Sequence, residues 1–419
     1  MAAVLGLECV RCHARYPADH YAEDCPACRP VARSNLMVVY DETLRRPRSI
    51  PAADAPRGLW RYGDLLPVSV EDGVSLGEGG SPLHHMVRAG ERLGIGGLYG
   101  KDESRNPTWS FKDRLACMAV SHAKAISAKV IVSSSSGNAG AAAAAYAAKA
   151  GLPCVVFTFK GTTGPMLTQM RAYGATVIVV ENKADRWTLM EHAVRSYGWF
   201  PTSPFFGPVV GSNPFGIEGY KTLAYEIVEQ LDWQVPDWCV LPVCYGDALL
   251  GMWRGFEDMM SFGWIDRMPK MVAAEVYGSL GAALAEGVDA PPDMRINRQS
   301  IAASIGATRG TYQALDIIRR SGGAAFTIGN DEMMEWQDIL ARGEGLYVEP
   351  SSAAGAAAVA QLVRGGGIGP HDKVVTLLTA SGLKDPATTA ALQPEMVAVP
   401  ANTSDAIAAL KAAGIFPNQ

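Results

Sequence analysis

Long hydrophobic runs are missing from this sequence. No apolar stretch approaches the roughly 18 to 20 residues that a membrane-spanning helix needs, and the N-terminus lacks the charged and then apolar pattern of a secretory signal. We therefore expect a cytoplasmic protein that has no membrane partner.

A large net charge is also missing. The 419 residues include 37 Lys and Arg against 42 Asp and Glu, which gives a net charge of -5 at pH 7. This balance gives no electrostatic reason to expect nucleic acid as a partner. With 48% hydrophobic and 19% charged residues, the composition is that of a globular protein, and the length is sufficient for two domains with their own cores.

Cysteine is scarce, and its distribution argues against disulfide bonds. Four of the eight form two close pairs, Cys9 with Cys12 and Cys25 with Cys28, and the others are scattered through apolar segments. Two such pairs are typical of a zinc ribbon, in which four thiolates surround the metal tetrahedrally. A closed site leaves no position for substrate, so we expect it to stabilise or dock the segment 1–33. Four cysteines without a metal are the alternative.

Short apolar segments alternate with helical ones along most of the chain. Apolar strands without polar alternation are typical of sheets that are buried on both faces, and helices between them favour a parallel α/β arrangement. Helices are expected at residues 141–150 and 164–173, and residues 34–67 are expected to be a linker with one short strand. The predicted strands are residues 36–40, 98–102, 129–132, 154–159, 176–180, 238–242, 270–275, 324–328 and 374–379.

The stretch from Glu103 to Arg114 places one lysine at the start of a predicted helix. Residues 106–108 are typical of a turn, and residues 113–125 have an acid early and a lysine late, as helices favour. A lysine at this position can hold its amine towards a cleft, so Lys112 is our candidate for a covalent centre. The alternative is an ordinary solvated lysine in a first helical turn.

Residues 130–140 combine an apolar strand, a turn of four serines and an alanine-rich helix. Backbone N–H groups at a helix start, with no bulky side chains nearby, suit a carboxylate or a phosphate. We therefore expect an anion site in this turn. Two further strands end in polar turns, within residues 240–251 and 377–385.

Together these stretches resemble the threonine synthase branch of the fold-type-II pyridoxal-phosphate enzymes. The resemblance extends over most of the chain and also includes residues 59–62, 65–67, 75–83, 218–222 and 349–353. It implies an α/β fold like that of the tryptophan synthase β subunit, with two doubly wound parallel-sheet domains and a small N-terminal zinc ribbon. The large domain would comprise residues 34–114 and 222–419, the small domain residues 115–221, and the protein would be a homodimer.

The resemblance also implies roles for single residues. Lys112 would form an imine with the aldehyde of pyridoxal phosphate and move protons at the substrate Cα. Asn138 would contact the ring oxygen of the cofactor. The substrate carboxylate would lie against Ser135, Ser136, Gly137 and Ala139. The cofactor phosphate would lie against the loop of Val243, Cys244, Tyr245, Gly246, Asp247 and Ala248, with the Asp247 side chain turned away.

Thr379 matches the family position that bonds the pyridine nitrogen of the cofactor, and Ser381 is the alternative for this role. A hydroxyl cannot protonate this nitrogen as a carboxylate would, so elimination or replacement is favoured over transamination. The alternative for Thr379 is a hydroxyl that caps the end of a strand.

Two positions depart from the family and bear on the substrate. Gly216 stands where enzymes that use phosphohomoserine usually have an arginine for the substrate phosphate, and glycine supplies no charge. We therefore expect an unphosphorylated substrate, unless Lys160, Arg171 or Lys183 supplies the missing cation. Trp109 stands where glycine is usual, and its indole could contact the substrate or turn outwards.

The expected function is that of a pyridoxal-phosphate-dependent lyase or synthase that acts on a small α-amino acid. It would remove the Cα proton and eliminate or replace a β or γ substituent, breaking a carbon–oxygen or carbon–nitrogen bond. One alternative is a true threonine synthase that converts O-phosphohomoserine to threonine. Another is a non-catalytic relative that acts as a binding module through its ribbon.

Overall fold

The structure is a computed structural model, and it describes residues 4–19, 24–41, 50–52, 57–162, 164–205, 207, 209–393, 396 and 398–414. In these residues the strands are β1 (Val4–Cys9), β2 (Arg15–Tyr16), β3 (Leu36–Tyr40), β4 (Leu83–His85), β5 (Gly97–Asp102), β6 (Ile131–Ser134), β7 (Cys154–Phe159), β8 (Thr176–Val180), β9 (Phe200–Pro201), β10 (Trp238–Pro242), β11 (Lys270–Glu275), β12 (Ala324–Thr327) and β13 (Lys373–Leu378).

The α-helices of the same residues are α1 (Val87–Leu93), α2 (Lys112–Ala125), α3 (Asn138–Ala150), α4 (Pro165–Ala172), α5 (Asp185–Tyr197), α6 (Pro214–Glu218), α7 (Lys221–Gln230), α8 (Asp247–Phe262), α9 (Ser279–Glu286), α10 (Tyr312–Ser321), α11 (Asn330–Glu344), α12 (Pro350–Arg364), α13 (Pro386–Ala390) and α14 (Thr403–Ala412). Among the helices of the described chain, none is long and apolar enough to cross a membrane.

Two largely parallel sheets form the body of the protein. The larger has the strand order β12-β11-β10-β13-β5-β4, and only β4 runs antiparallel to its neighbour. The smaller has the order β8-β7-β6-β9 and is parallel throughout. Parallel neighbours require crossover connections. The predicted α/β class is thereby confirmed, whereas the domain boundaries proposed above stay predictions.

Helix α2 is buried along most of its length in the main core, from Asp113 to Ala123. It packs against α3, a helix composed mainly of alanine, whose small side chains allow the two helices to approach closely. Because α2 begins at Lys112, the packing of this helix fixes the position of that residue.

A third, small sheet contains the cysteine pairs. Strand β1 runs antiparallel to both β2 and β3. Residues 36–40, which were expected in a linker, therefore belong to this sheet. Leu7, Leu36 and Val38 form a small core that also includes Phe215 from α6. The sheet is thus packed onto the body of the protein.

Boundaries near the sheet ends differ slightly from the prediction. The strand predicted at residues 129–132 begins at Ile131 and continues to Ser134. The strand predicted at residues 374–379 ends at Leu378, so Thr379 lies in the turn beyond it. A separate compact unit begins at Pro386 and contains α13 and α14.

Candidate active site

A cavity of about 210 Å³ lies where several parallel strands end. Strands β6, β10 and β13 end at Ser134, Pro242 and Leu378, and residues at or just after these ends line the cavity. Open α/β sheets bind ligands beyond the carboxyl ends of their strands. The predicted site residues in the lining are Lys112, Ser135, Ser136, Gly137, Asn138, Ala139, Thr379 and residues 243–248.

Lys112 contributes an amine to this cavity. Its Nζ lies 4.4 Å from the centre of the Phe111 ring and 5.7 Å from that of Tyr220. Burial lowers the pKa of Lys112, and nearby acidic groups, chiefly Asp247, oppose this shift only in part. A lowered pKa increases the share of neutral amine, which is the nucleophilic form.

The turn before α3 is held by one of its serines. Ser135 Oγ accepts hydrogen bonds from the amides of Gly137 at 3.1 Å and Gly140 at 3.0 Å. Because the first amides of a helix have no intrahelical partner, the start of α3 suits an anion, and the anion site expected there stays a prediction.

Asn138 is buried beside a carboxyl group. Its Nδ2 donates to Glu349 Oε2 at 3.1 Å, while its Oδ1 has no partner within the part of the chain that is described. Burial raises the pKa of Glu349. An unpaired buried amide oxygen is costly, and it is typical of a position that a ligand completes.

The loop between β10 and α8 requires glycine at one position. Gly246 has a φ of 78°, and a Cβ added there would lie 2.7 Å from Ala314 Cβ. Asp247 follows, and its carboxylate accepts hydrogen bonds from Ser212 N at 3.1 Å and Ser212 Oγ at 2.7 Å. With this side chain held on Ser212, the amides at the start of α8 suit a phosphate.

Thr379 is buried and paired with a second hydroxyl. Its Oγ1 lies 2.7 Å from Ser352 Oγ, which also accepts from the amide of Ala380 at 2.9 Å. Ser352 belongs to the first turn of α12. This helix therefore fixes the Thr379 hydroxyl at the cavity wall.

Two cations near the start of α5 line the same cavity, Lys183 and Arg186. Arg186 is only 7% exposed, and its Nε has no hydrogen-bond partner among the described residues. Burial lowers the pKa of both groups, and the charge of Arg186 lowers that of Lys183 further. Among the described residues, no carboxylate forms an ion pair with either cation.

A family model described as pyridoxal-phosphate dependent enzyme matches residues 74–380. This chain belongs to that family. It is 35% identical to the threonine synthase of Methanocaldococcus jannaschii over 392 residues, 90% of this chain and 92% of the relative. It is also 35% identical to that of Methanosarcina acetivorans over 401 residues, 94% and 96% of the two chains.

Solved structures support the fold of this pyridoxal-phosphate-dependent enzyme. The processed form of threonine deaminase isoform 2 from Solanum lycopersicum has a TM-score of 0.65 at 20% identity, covering 83% of this chain and 98% of that one. Maize serine racemase has a TM-score of 0.63 at 18% identity, with 74% and 91% covered. The chain is therefore a fold-type-II enzyme and a lyase on the threonine synthase branch.

The lining of the cavity fits pyridoxal phosphate. Lys112 provides an amine for the aldehyde, the start of α8 provides amides for the phosphate, and Thr379 provides a hydroxyl for the ring nitrogen. The amide of Asn138, with its unpaired oxygen, is available to the ring substituents. These individual contacts stay predictions.

Trp109 does not line this cavity; its side chain is 43% exposed, and its φ of 66° is unusual for a residue other than glycine. A contact with substrate would therefore require the indole to move, and this role stays a prediction. Gly216 is not among the residues that line the cavity either, and a Cβ there would meet Leu115 and Ala119 of α2 at 3.1 and 3.2 Å. The missing arginine therefore does not decide the charge of the substrate.

The four paired cysteines of this enzyme come together. Sγ atoms of Cys9 and Cys28 are 3.8 Å apart, those of Cys12 and Cys25 are 3.6 Å apart, and all four lie within 4.8 Å of one another. Four thiolates around zinc, with Zn–S bonds of about 2.3 Å in a tetrahedron, are separated by about 3.8 Å. The cluster therefore fits a structural zinc ion.

Some lining residues had no predicted role. Glu349 begins a stretch that carried the family resemblance, so its position could have been suspected. Ser212 and Arg186 have no comparable signal in their local sequence. They reach the cavity because distant segments meet there.

Proposed function

We propose that this enzyme catalyses the threonine synthase reaction on O-phosphohomoserine. The pair of cations at the cavity, Arg186 and Lys183, is the observation that supports a phosphorylated substrate. In the overall reaction the Cγ–O bond breaks to release phosphate, a hydroxyl from water is added at Cβ, and Cγ becomes a methyl group.

A buried guanidinium that has no carboxylate partner is unfavourable, because its lost hydration is not compensated. The guanidinium of Arg186 lies 5.6 Å from the Phe159 ring and 5.0 Å from the Trp187 ring, and these neighbours leave most of its donors for a ligand. A phosphate can accept two parallel bonds from a guanidinium and another from an amine such as that of Lys183. A neutral substrate side chain would leave the buried Arg186 unpaired, whereas Lys183 is exposed and would stay solvated.

Pyridoxal phosphate, when bound, supplies an aldehyde and an electron-withdrawing ring. Lys112 would take and return the proton at the substrate Cα, and the turn of residues 135–139 would hold the substrate carboxylate. Thr379, held by Ser352, would present a neutral hydroxyl to the ring nitrogen. Such a partner favours elimination and replacement over transamination.

The expectation of an unphosphorylated substrate depended on Gly216 and on Val210, Gly211 and Ala139, which stand where polar residues are usual. A Cβ at position 216 would meet α2, which weakens that part of the support. Turnover of unphosphorylated amino acids alone, in the experiment below, would favour that expectation. A non-catalytic role is disfavoured because the cavity contains Lys112.

The test is the release of phosphate and the formation of threonine from O-phosphohomoserine. Arg186→Ala should raise KM by about tenfold or more, since one charge-assisted contact is worth about 1.5–3 kcal/mol. The visible absorbance of the bound cofactor should remain. Lys160→Ala is the matched control, because Lys160 pairs with Glu181 at the surface at 3.1 Å, and it should change neither quantity.

Lys112→Ala should abolish both turnover and the covalent attachment of the cofactor. Turnover of unphosphorylated amino acids alone would contradict the proposed substrate. Retention of wild-type KM in Arg186→Ala would remove the support from the cation pair.

We further propose that Cys9, Cys12, Cys25 and Cys28 hold one structural zinc ion, which metal analysis of the purified protein should find in equimolar amount. A protein without bound metal that melts at the same temperature after chelation would contradict this. The homodimer stays a prediction from the family resemblance, which sedimentation would test. The cytoplasmic location stays a prediction from the sequence.

A further inference from the structure

Both cysteine pairs hold the same short segment of chain. The amide of Val10, inside the first pair, donates to the Asn35 carbonyl at 3.1 Å. The amide of Cys25 donates to the Ser34 carbonyl at 2.9 Å. The position of Ser34 and Asn35 therefore depends on both halves of the metal-binding segment.

The side chain of Asn35 connects this segment to the body of the enzyme. Asn35 is 1% exposed, and its Nδ2 donates to the Ser212 carbonyl at 3.3 Å, while its Oδ1 accepts from the Leu36 amide at 2.9 Å. The contact is close, because a Cβ on Gly211 would lie 2.4 Å from Asn35 Nδ2 and 2.8 Å from Asp247 Oδ1. Any residue with a side chain at position 211 would therefore displace Asn35 or Asp247.

Ser212 in turn fixes a carboxylate at the cofactor site. Its amide and hydroxyl both bond Asp247, which is the first residue of α8 and lines the cavity with Ser212. Among the charged groups that act on the Lys112 amine, Asp247 has the largest effect. A freed Asp247 carboxylate could turn towards the helix start and repel the cofactor phosphate.

We propose that Asn35 is a positioning residue that couples metal binding at the four cysteines to cofactor binding in the cavity. Metal binding folds such ribbons, so loss of the metal would release Ser34 and Asn35 and then Ser212 and Asp247. The proposal rests on the cofactor and on the metal, and it is independent of which amino acid is the substrate.

The experiment measures the dissociation constant of pyridoxal phosphate by absorbance titration of the full-length apoprotein. In wild type, removal of zinc by a chelator should weaken cofactor binding by about fivefold or more, the usual lower end of coupling between sites. Asn35→Ala with zinc bound should weaken it to a similar extent. Chelation of Asn35→Ala should add little, because the link is already broken.

Arg33→Ala is the matched control. The Arg33 side chain also connects the ribbon to the body of the enzyme, because it donates to the Gly207 carbonyl at 3.5 Å. Arg33 is not a hydrogen-bond partner of Ser212 or Asp247. This variant should bind the cofactor as wild type does. Zinc content and circular dichroism should be measured for each variant, so that a misfolded ribbon is recognised.

Ser212→Ala provides a second route to the same conclusion if Asn35→Ala loses its zinc. It removes the hydroxyl bond to Asp247 and should weaken cofactor binding while the metal is retained. The proposal is overturned if chelated wild type binds the cofactor with unchanged affinity, or if neither Asn35→Ala nor Ser212→Ala differs from Arg33→Ala. Failure of the proposed substrate would leave these titrations unaffected.

Discussion

His122 is a buried histidine in the middle of α2. Its ring is stacked on Phe215 with the centroids 3.5 Å apart, and neither ring nitrogen has a partner among the described residues. Burial lowers the pKa of His122 to about 4, from an ordinary value of about 6.5. The folded protein therefore binds this proton less readily than the unfolded chain does.

The free energy of unfolding should consequently fall as the pH decreases from about 6.5 towards 4. Between about pH 7.5 and about pH 5, protonation of His122 in the unfolded chain should lower it by about 2 kcal/mol. His122→Phe keeps a ring against Phe215 but cannot be protonated. Urea unfolding at these two pH values should therefore show that this variant lacks the decrease of about 2 kcal/mol. His371→Phe, at an exposed position, should retain it. Identical pH dependence in His122→Phe and wild type would contradict the assignment.

At the scale of elements, the loop between β10 and α8 depends on space as well as on conformation. Gly246→Ala adds a methyl group 2.7 Å from Ala314 Cβ at a φ of 78°, whereas Gly263→Ala, at the other end of α8, adds one into open space at a φ of 72°. Both changes cost about 1 kcal/mol of backbone strain, but only the first displaces the loop.

We therefore expect Gly246→Ala to weaken cofactor binding by about tenfold or more, while Gly263→Ala lowers the melting temperature alone. Absorbance titration with pyridoxal phosphate and thermal unfolding measure the two effects. Equal cofactor affinity in the two variants would show that the contact with Ala314 does not shape the site.

Sequence patterns predicted those elements whose signal is local. Strands β7, β8, β10 and β11 have the predicted bounds, because an apolar run between polar turns specifies a buried strand. The roles of the candidate site residues came instead from the family resemblance, and of these four strands only β10 is followed by such residues. Arg186 could not be found, since its role depends on burial and on a cavity lined by segments far away in sequence.

At the scale of the whole molecule, a buried ion network joins separate segments behind the cavity. Arg114, in the first turn of α2, bonds Glu103 at 2.7 Å and Glu226 of α7 at 2.6 Å, and Glu226 also bonds Lys101 of β5 at 2.7 Å. Burial raises the pKa of Glu226, but Arg114 and Lys101 lower it to about 2. The carboxylate therefore stays charged at neutral pH and holds the start of α2, with Lys112, against the larger sheet.

Glu226→Ala would leave Lys101 buried without a carboxylate partner and Arg114 with Glu103 alone, and an unpaired buried charge costs about 3–5 kcal/mol. Urea unfolding at neutral pH should show a loss of this size, whereas Glu181→Ala, which removes an exposed pair with Lys160, should cost about 0–1 kcal/mol. Because the network also positions α2, Glu226→Ala should reduce cofactor occupancy at Lys112 even where the protein is folded. A variant as stable as Glu181→Ala would show that water or a rearranged side chain replaces Glu226, and that packing alone holds α2 in place.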